Sequence, residues 1–520
     1  MTDKAILAAE AASDRSFFGH PRGLATLFMT EMWERFSYYG MRALLIFYLT
    51  QHFLFSDSRS FLIYGAYTSL VYLTPVIGGL LADRYLGSRK AVTFGAILLV
   101  LGQFGMAIQG PIAEHILAAD GSVSIVRDAF FQNIFYFSLA LIITGVGFLK
   151  ANISTIVGAL YPKGDARRDS GFTIFYMGIN LGAMLGALIA GWVGITVGWW
   201  AGFGLAGFGM VGGLIQFLKG QKYLYGHADP PSVKVLKEKI FAGISREYII
   251  YIGGILAVVA IWQLIQHQEL VGTMYDGFGL LVLAAIMAFS FLKCEREDRN
   301  KMLVATFLIL TSVLFWALFE QAGSSLNLLA QRNVDREVLG IEIPAPVFQS
   351  LNSLFIITLA PLFSILWIYL SKIKREPSTP VKFGLGIIQL GFGYLVLVFG
   401  MGLAGDGQTA LIWLVLIYFF HTSGELCLSP VGLSMITKLS VTRVVGMMMG
   451  AWFLASGYAN FLAGRIAQLT SGGGEGAEGA ASSVAIYIEV FQNVGLLAVG
   501  VGMAILIISP ILRKYMHGVH

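Results

Sequence analysis

Long apolar runs alternate with short polar joints along nearly the whole chain. Runs of spanning length fall near residues 24–53, 61–82, 91–109, 130–160, 170–195, 197–219, 248–266, 275–293, 302–331, 346–371, 382–404, 408–438, 444–469 and 484–512. A helix needs about 20 mostly apolar residues to cross a bilayer. The pattern therefore predicts an all-α polytopic membrane protein with fourteen transmembrane helices.

Composition agrees. Of 520 residues, 56% are hydrophobic and 12% charged, about half the roughly 25% charged of soluble domains. A large soluble protein would lack the polar surface to cover its cores. The 62 glycines suit membrane helices, where glycine is frequent. Cys294 and Cys427 are too few for a disulfide framework or the common zinc and iron–sulfur patterns. Cys427, in an apolar run, reads as a packing residue. The net charge of +5 reflects loops and gives no nucleic-acid signature. Residues 1–22 lack the apolar core of a cleavable signal, so the first apolar helix is expected to act as an uncleaved insertion signal.

Lysine and arginine gather on alternate joints. One set holds Arg84, Arg89 and Lys90; Lys163, Arg167 and Arg168; Lys222, Lys234, Lys237, Lys239 and Arg246; Lys293, Arg296, Arg299 and Lys301; Lys372, Lys374, Arg375 and Lys382; Arg513 and Lys514. The other holds Arg59, Arg127, Arg332 and Arg336 and no lysine. By the positive-inside rule the first set is cytoplasmic. Both termini are then cytoplasmic, in the inner (plasma) membrane.

The widest basic joint, 220–247, marks a break after six helices. The expected organisation is an N-terminal six-helix bundle over 1–220, a cytoplasmic linker with two extra helices over 221–301, and a C-terminal six-helix bundle over 302–520. Paired bundles suggest a transporter. "GGLLADRYLGSRK" (78–90) resembles the loop signature of the major facilitator superfamily. Its Asp83 and Arg84 are read as a conformational loop, with Asp83 able to face a helix N-terminus.

The stretch "EMWERFSYYGMR" (31–42) breaks the apolar pattern. At ~100° per residue, Glu31, Arg35, Tyr38 and Arg42 share one face, with Glu34 on the same side. A stripe of mixed sign can neutralise itself by pairing, and a buried cluster that only joins helices would look the same. Charges inside a membrane are costly and mark function by default. Lys150 lies deep in the fourth run, and His421 in the twelfth. Tyr176 and Asn180 lie one turn apart in "FYMGIN". Trp316, Glu320, Ser324 and Asn327 form a polar stripe, and Asn352 lies in "FQSLNSLF". Glu425, Ser429 and Gly432 share a face, with Pro430 between them. Trp452 lies in "MMMGAWFLASGY". Positive centres thus sit in the N-terminal half (Arg42, Lys150) and negative ones in the C-terminal half (Glu320, Glu425). The natural guest of such a pair is a zwitterion. An amino acid is one candidate and a short peptide another.

"EMWERFSYYG" resembles the first-helix signature of the proton-dependent oligopeptide transporter (POT) family, and "FYMGINLG" its fifth-helix signature. "FWALFEQAGSSLN", "FQSLN" and "GELCLSPVGLS" resemble its later helices. The similarity runs from about Gly23 to Arg513. It implies the major facilitator fold with two inserted helices. It further implies a proton-coupled symporter importing di- and tripeptides by alternating access, with the peptide bound between the two bundles. Arg42 and Lys150 would bind the peptide carboxylate. Asn180, Asn352 and Glu425 would bind its amine or backbone. Tyr38, Tyr39, Tyr72, Tyr176, Trp316, Ser429 and Trp452 would line side-chain pockets. Glu31, Glu34 and Arg35, with Glu320, would couple protons. Mammalian members carry a histidine in the second helix where this chain has Gly65, so coupling through that histidine is excluded. His421 is then expected to be a satisfied packing residue.

Protonating an acid would release the arginine it holds, and the freed arginine could take a substrate carboxylate. Binding of proton and peptide would then be linked reciprocally. No nucleotide-binding loop is present, and no cofactor or metal site is expected. An embedded enzyme would need paired ligand histidines, which are missing, so the chain is not expected to be an enzyme. The expected partners are peptides, protons and the lipid bilayer, with no nucleic acid. A family member carrying another small solute, such as nitrate or a peptide-like compound, is the alternative.

Overall fold

The computed structural model describes residues 13–117, 123–162, 164–405, 407–472 and 484–519. Lys163 and the first twelve residues of the segment read for a signal lie outside the described residues. A long helix stands at each of the fourteen predicted positions. These are α1 (Arg22–Phe47), α2 (Asp57–Leu81), α3 (Ser88–Met106), α4 (Ala129–Ala159), α5 (Arg167–Leu185), α6 (Trp199–Gly220), α7 (Arg246–Ile265), α8 (Gln268–Lys293), α9 (Arg296–Phe319), α10 (Ser350–Lys372), α11 (Thr379–Ala404), α12 (Leu411–Leu439), α13 (Val445–Leu469) and α14 (Val484–Tyr515). Among the described residues twelve are long and apolar enough to cross a membrane; α1 and α13 are not in that set. In α1 the reason is the charged stripe.

Internal contacts divide the chain into two compact units, Met1–Leu54 with Leu70–His267, and Phe55–Ser69 with Gln268–His520. The first unit holds α1, α3 to α7 and the later part of α2. Its α3 packs along α4, and α1 packs on α5 and α6. Helix α7 lies against α4, with the Phe94 and Tyr251 rings 4.8 Å apart and Lys90 paired with Glu247. The basic joint read as a linker is ordered here. It holds a short helix, Val233–Lys237, and a hairpin of Lys239–Phe241 with Ile244–Ser245. Arg89 N–H donates to Ala228 at 2.9 Å, and the Arg89 guanidinium meets Asp229 at 2.9 Å.

The second unit holds α8 to α14 and the first part of α2. Its α11 packs along α14 and α12, and α9 along α13. Helix α8 packs on α9 and α13. The run expected as one span over 302–331 is broken. After α9 the chain makes a tight turn, Glu320–Gly323, before a short helix, Ser325–Asn333. The start of α2 is fixed in this unit by Arg332 to Asp57 at 2.9 Å, Gln468 to Ser58 at 2.7 Å and the Tyr275 hydroxyl to the Ser69 carbonyl at 2.8 Å. A side chain on Gly65 would come within 3.0 Å of the Gly464 backbone, and one on Gly464 within 2.7 Å of the Phe61 carbonyl. These two glycines let α2 and α13 cross nearly backbone to backbone, as small residues do in membrane bundles.

Candidate functional site

In the first unit the helical period brings the charged stripe together as predicted. Glu31, Glu34, Arg35 and Arg42 are buried. Arg35 Nε lies 3.0 Å from Glu31 Oε1 and also pairs with Glu34. One guanidinium thus serves two carboxylates, and its plane lies 5.4 Å from the Tyr38 ring. Arg42 is 5.8 Å from the Tyr39 ring, and Tyr38 and Tyr39 meet edge to face at 5.2 Å. From α4, half-buried Lys150 holds its ammonium 4.0 Å from the Tyr72 ring of α2, and its charge acts on Glu31. An ammonium over an aromatic face gains about 0.5–2 kcal/mol, so Tyr72 steadies Lys150 without neutralising it.

The signature on α5 has a packing reason. A side chain on Gly178 would come within 2.8 Å of Phe28, and one on Gly182 within 2.9 Å of the Arg35 Cβ. The glycines of "FYMGINLG" therefore let α5 press on α1 beside Arg35. Asn180, on the same helix, is buried and donates to the Tyr176 carbonyl at 3.0 Å, while Tyr176 is exposed. The predicted loop residues Asp83 and Arg84 lie in a wide π-helical turn, Ala82–Leu86, that continues α2, and both are exposed. Gly87, with φ of 72°, turns the chain into α3.

In the second unit Glu425 of α12 is buried. The Asn352 amide of α10 donates to Glu425 Oε2 at 3.0 Å and to the Thr422 hydroxyl at 3.1 Å. Thr422 in turn donates to the Tyr418 carbonyl at 2.8 Å. No ion pair reaches Glu425 among the described residues. Glu320, also buried, stands at the break after α9, and its charge acts on Glu425. Half-buried Trp316 meets Phe319 edge to face at 5.3 Å. Ser429 is half-buried one turn beyond Glu425, and α12 stays helical through Pro430. Trp452 is buried against Gly432, where an added side chain would come within 2.5 Å of its ring.

His421 corrects the expectation in part. It is a packing residue, with its ring 4.9 Å from that of Tyr394 and 6.0 Å from that of Phe319. It is not fully satisfied, because its Nε2 is buried without a hydrogen-bond partner. Sequence reasoning missed Thr422, which joins Asn352 to the Glu425 helix. The signal was its place one turn before Glu425. It also missed Gln389 of α11, which accepts from Ser423 and donates to Cys427 at 3.3 Å. No group of three or more potential metal ligands occurs among the described residues.

The model of the POT family matches residues 89–480. An uncharacterized transporter, YclF, of Bacillus subtilis is 37% identical over 518 residues, covering 98% of each chain. The peptide transporter YePEPT of Yersinia enterocolitica is 38% identical over 475 residues, covering 87% of this chain and 88% of its own. A crystal structure of a peptide transporter POT in complex with sulfate superposes with a TM-score of 0.81 at 35% identity, over 100% of both chains. Matched by the family model over most of its length and by relatives from end to end, the chain belongs to the POT family of proton-dependent oligopeptide transporters.

Proposed function

We propose that the chain is a peptide transporter of the plasma membrane, a proton-coupled symporter that imports di- and tripeptides by alternating access. What carries the reading is Glu425: a buried carboxylate, held by Asn352 and paired with no cation among the described residues. Burying an unpaired charge costs several kcal/mol, so such a group is best explained by a cationic ligand. The ammonium of a peptide supplies that cation. Arg42 and Lys150 take the carboxylate, with Asn180 and Asn352 on the polar backbone. Tyr38, Tyr39, Tyr72, Tyr176, Trp316, Ser429 and Trp452 face the side chains. Family membership and relatives named as peptide transporters support the substrate class.

For coupling, Glu31 and Glu34 share Arg35. A proton on either acid loosens that clamp, and Glu320 is the corresponding acid of the other unit. The bias of Lys and Arg toward one set of joints supports fourteen crossings with cytoplasmic termini.

The test is uptake of a labelled dipeptide into liposomes with and without an inward proton gradient. Accumulation is expected only with the gradient, and unlabelled di- and tripeptides should compete while free amino acids and nitrate do not. Gradient-independent uptake would remove the proton coupling. Competition by nitrate alone would remove the peptide.

A further inference from the structure

At the end of the second unit where lysine and arginine gather, a cavity of about 580 Å³ opens among the ends of α10, α11, α12 and α14. Four cations line it, Lys374, Lys382, Lys438 and Arg513, against one carboxylate, Glu376, among the described lining residues. That carboxylate is already engaged, since Lys382 Nζ lies 2.6 Å from Glu376 Oε1. Lys382 is itself buried, and its ammonium stands 4.7 Å from the Trp367 ring. Lys374 and Arg513 are exposed and make no ion pair among the described residues. The hydroxyls of Ser371, Ser378, Thr379 and Ser434 complete the wall.

A comparable opening in the first unit, of about 490 Å³, is lined by Arg89 and Lys90. There both cations already have carboxylates, Asp229 and Glu247. The second cavity alone of this pair keeps unspent positive charge. The outer faces of α14 and α10 carry exposed apolar side chains, Ile507, Ile511 and Tyr369 among them, as lipid-facing helices do. A basic pocket between helix ends with an apolar flank fits a lipid headgroup.

We propose that this cavity binds an anionic phospholipid of the cytoplasmic leaflet, its phosphate held by Lys374 and Arg513 and its acyl chains lying in the bilayer. Lys382, fixed by Glu376 and Trp367, forms the floor of the site.

The test is native mass spectrometry of the full-length protein in detergent, titrated with phosphatidylglycerol or phosphatidylcholine, beside thermal unfolding of the same samples. Wild type should retain phosphatidylglycerol in preference and gain thermal stability from it. Lys374→Gln combined with Arg513→Gln should lose roughly thirtyfold in affinity for phosphatidylglycerol, keep its weak binding of phosphatidylcholine, and unfold at the wild-type temperature without lipid. Should that double variant fail to fold, Lys374→Arg with Arg513→Lys keeps the charge and should bind phosphatidylglycerol as wild type does. Equal retention of phosphatidylglycerol by wild type and the Gln variant would overturn the proposal. So would loss of binding in a folded, charge-conserving variant. Displacement by millimolar inorganic phosphate, with the same gain in stability from phosphate alone, would overturn it in favour of a free-anion site.

Discussion

The two units treat buried acid in opposite ways. In the first, Glu31 and Glu34 are answered from their own helix by Arg35, one turn after Glu31 and next to Glu34 in the chain. In the second, Glu425 is answered by a neutral amide, Asn352, which also donates to the Thr422 hydroxyl. The first arrangement brings its own cation to both acids, because the opposite charges are local in the chain. The second fixes the direction of the carboxylate and brings it no cation among the described residues. In the function proposed above, the first acid pair is a device of the protein and Glu425 is the group that meets the ligand.

Breaking the first arrangement should have the largest effect. Arg35→Ala leaves two carboxylates buried together, and removing one partner of a buried pair costs about 3–5 kcal/mol. The expected outcome is a sharp fall in thermal unfolding temperature in detergent, and in yield. Adding Glu31→Gln and Glu34→Gln to Arg35→Ala should restore most of it. A thermal shift of the single variant within about 1 °C of wild type would show that the trio is not acting as an ion cluster.

The second arrangement should break in binding and leave stability intact. Glu425→Gln keeps the hydrogen bond from Asn352 and removes the charge. Calorimetry should show a loss of about a hundredfold for a dipeptide with a free amine, in the range of a truncated buried charge pair. The same variant should lose most of the preference for that peptide over its N-acetylated form. A preference kept in full would move the amine to Glu320.

Lys150→Ala sharpens the comparison from the other charge. Its ammonium is steadied by an aromatic ring at 4.0 Å, and exposed enough to keep some water, so its loss should cost about tenfold in dipeptide affinity. In wild type, amidating the peptide's C-terminus should weaken binding. In the variant that penalty should shrink. Equal penalties in both would make Lys150 a structural or proton-linked residue.

The smallest effect belongs to an acid outside the membrane spans. Burial alone would raise Asp14, but the N–H of Arg22 and Ser16 and the Tyr225 hydroxyl bind its carboxylate and hold its pKa at about 2. A depressed carboxyl contributes stability above its ordinary pKa of 3.8 and loses it as pH falls toward about 2. Solvent screens the site, so the contribution is below about 1 kcal/mol. Hydrogen exchange of residues 14–22 should quicken in wild type between pH 4 and pH 2 relative to the rest of the chain. Asp14→Asn should already exchange at the faster relative rate at pH 7, and identical profiles would remove the carboxylate from that role.

Much of this was legible in the sequence because it depends on near neighbours. The helix positions follow from apolar runs, and the pairing of Arg35 with Glu31 follows from the helical period. Glu320 and Glu425 were conspicuous as charges in apolar surroundings. What was not legible depends on residues far apart in the chain. Nothing in "DSRSFLIYGAYTS" announces that Asp57–Ser69 joins the second unit, because that rests on Arg332, Gln468 and Tyr275. The break at Glu320–Gly323 was hidden because its polar residues, Glu320 and Ser324, fit the stripe of one continuous helix. The joint at 220–247 was read by its width and charge as a linker, yet its Ala228 carbonyl accepts from Arg89 in the first turn of α3.

The crossing of α2 and α13 at Gly65 and Gly464 bears on the exchange of parts between relatives. A histidine in place of Gly65 is expected to strain this crossing, because an added Cβ already meets the Gly464 backbone at 3.0 Å. Its imidazole would need the facing helix to give way before it could handle a proton. On the resemblance drawn from the sequence, a chimera that swaps the second helix alone would carry that side chain without the room for it.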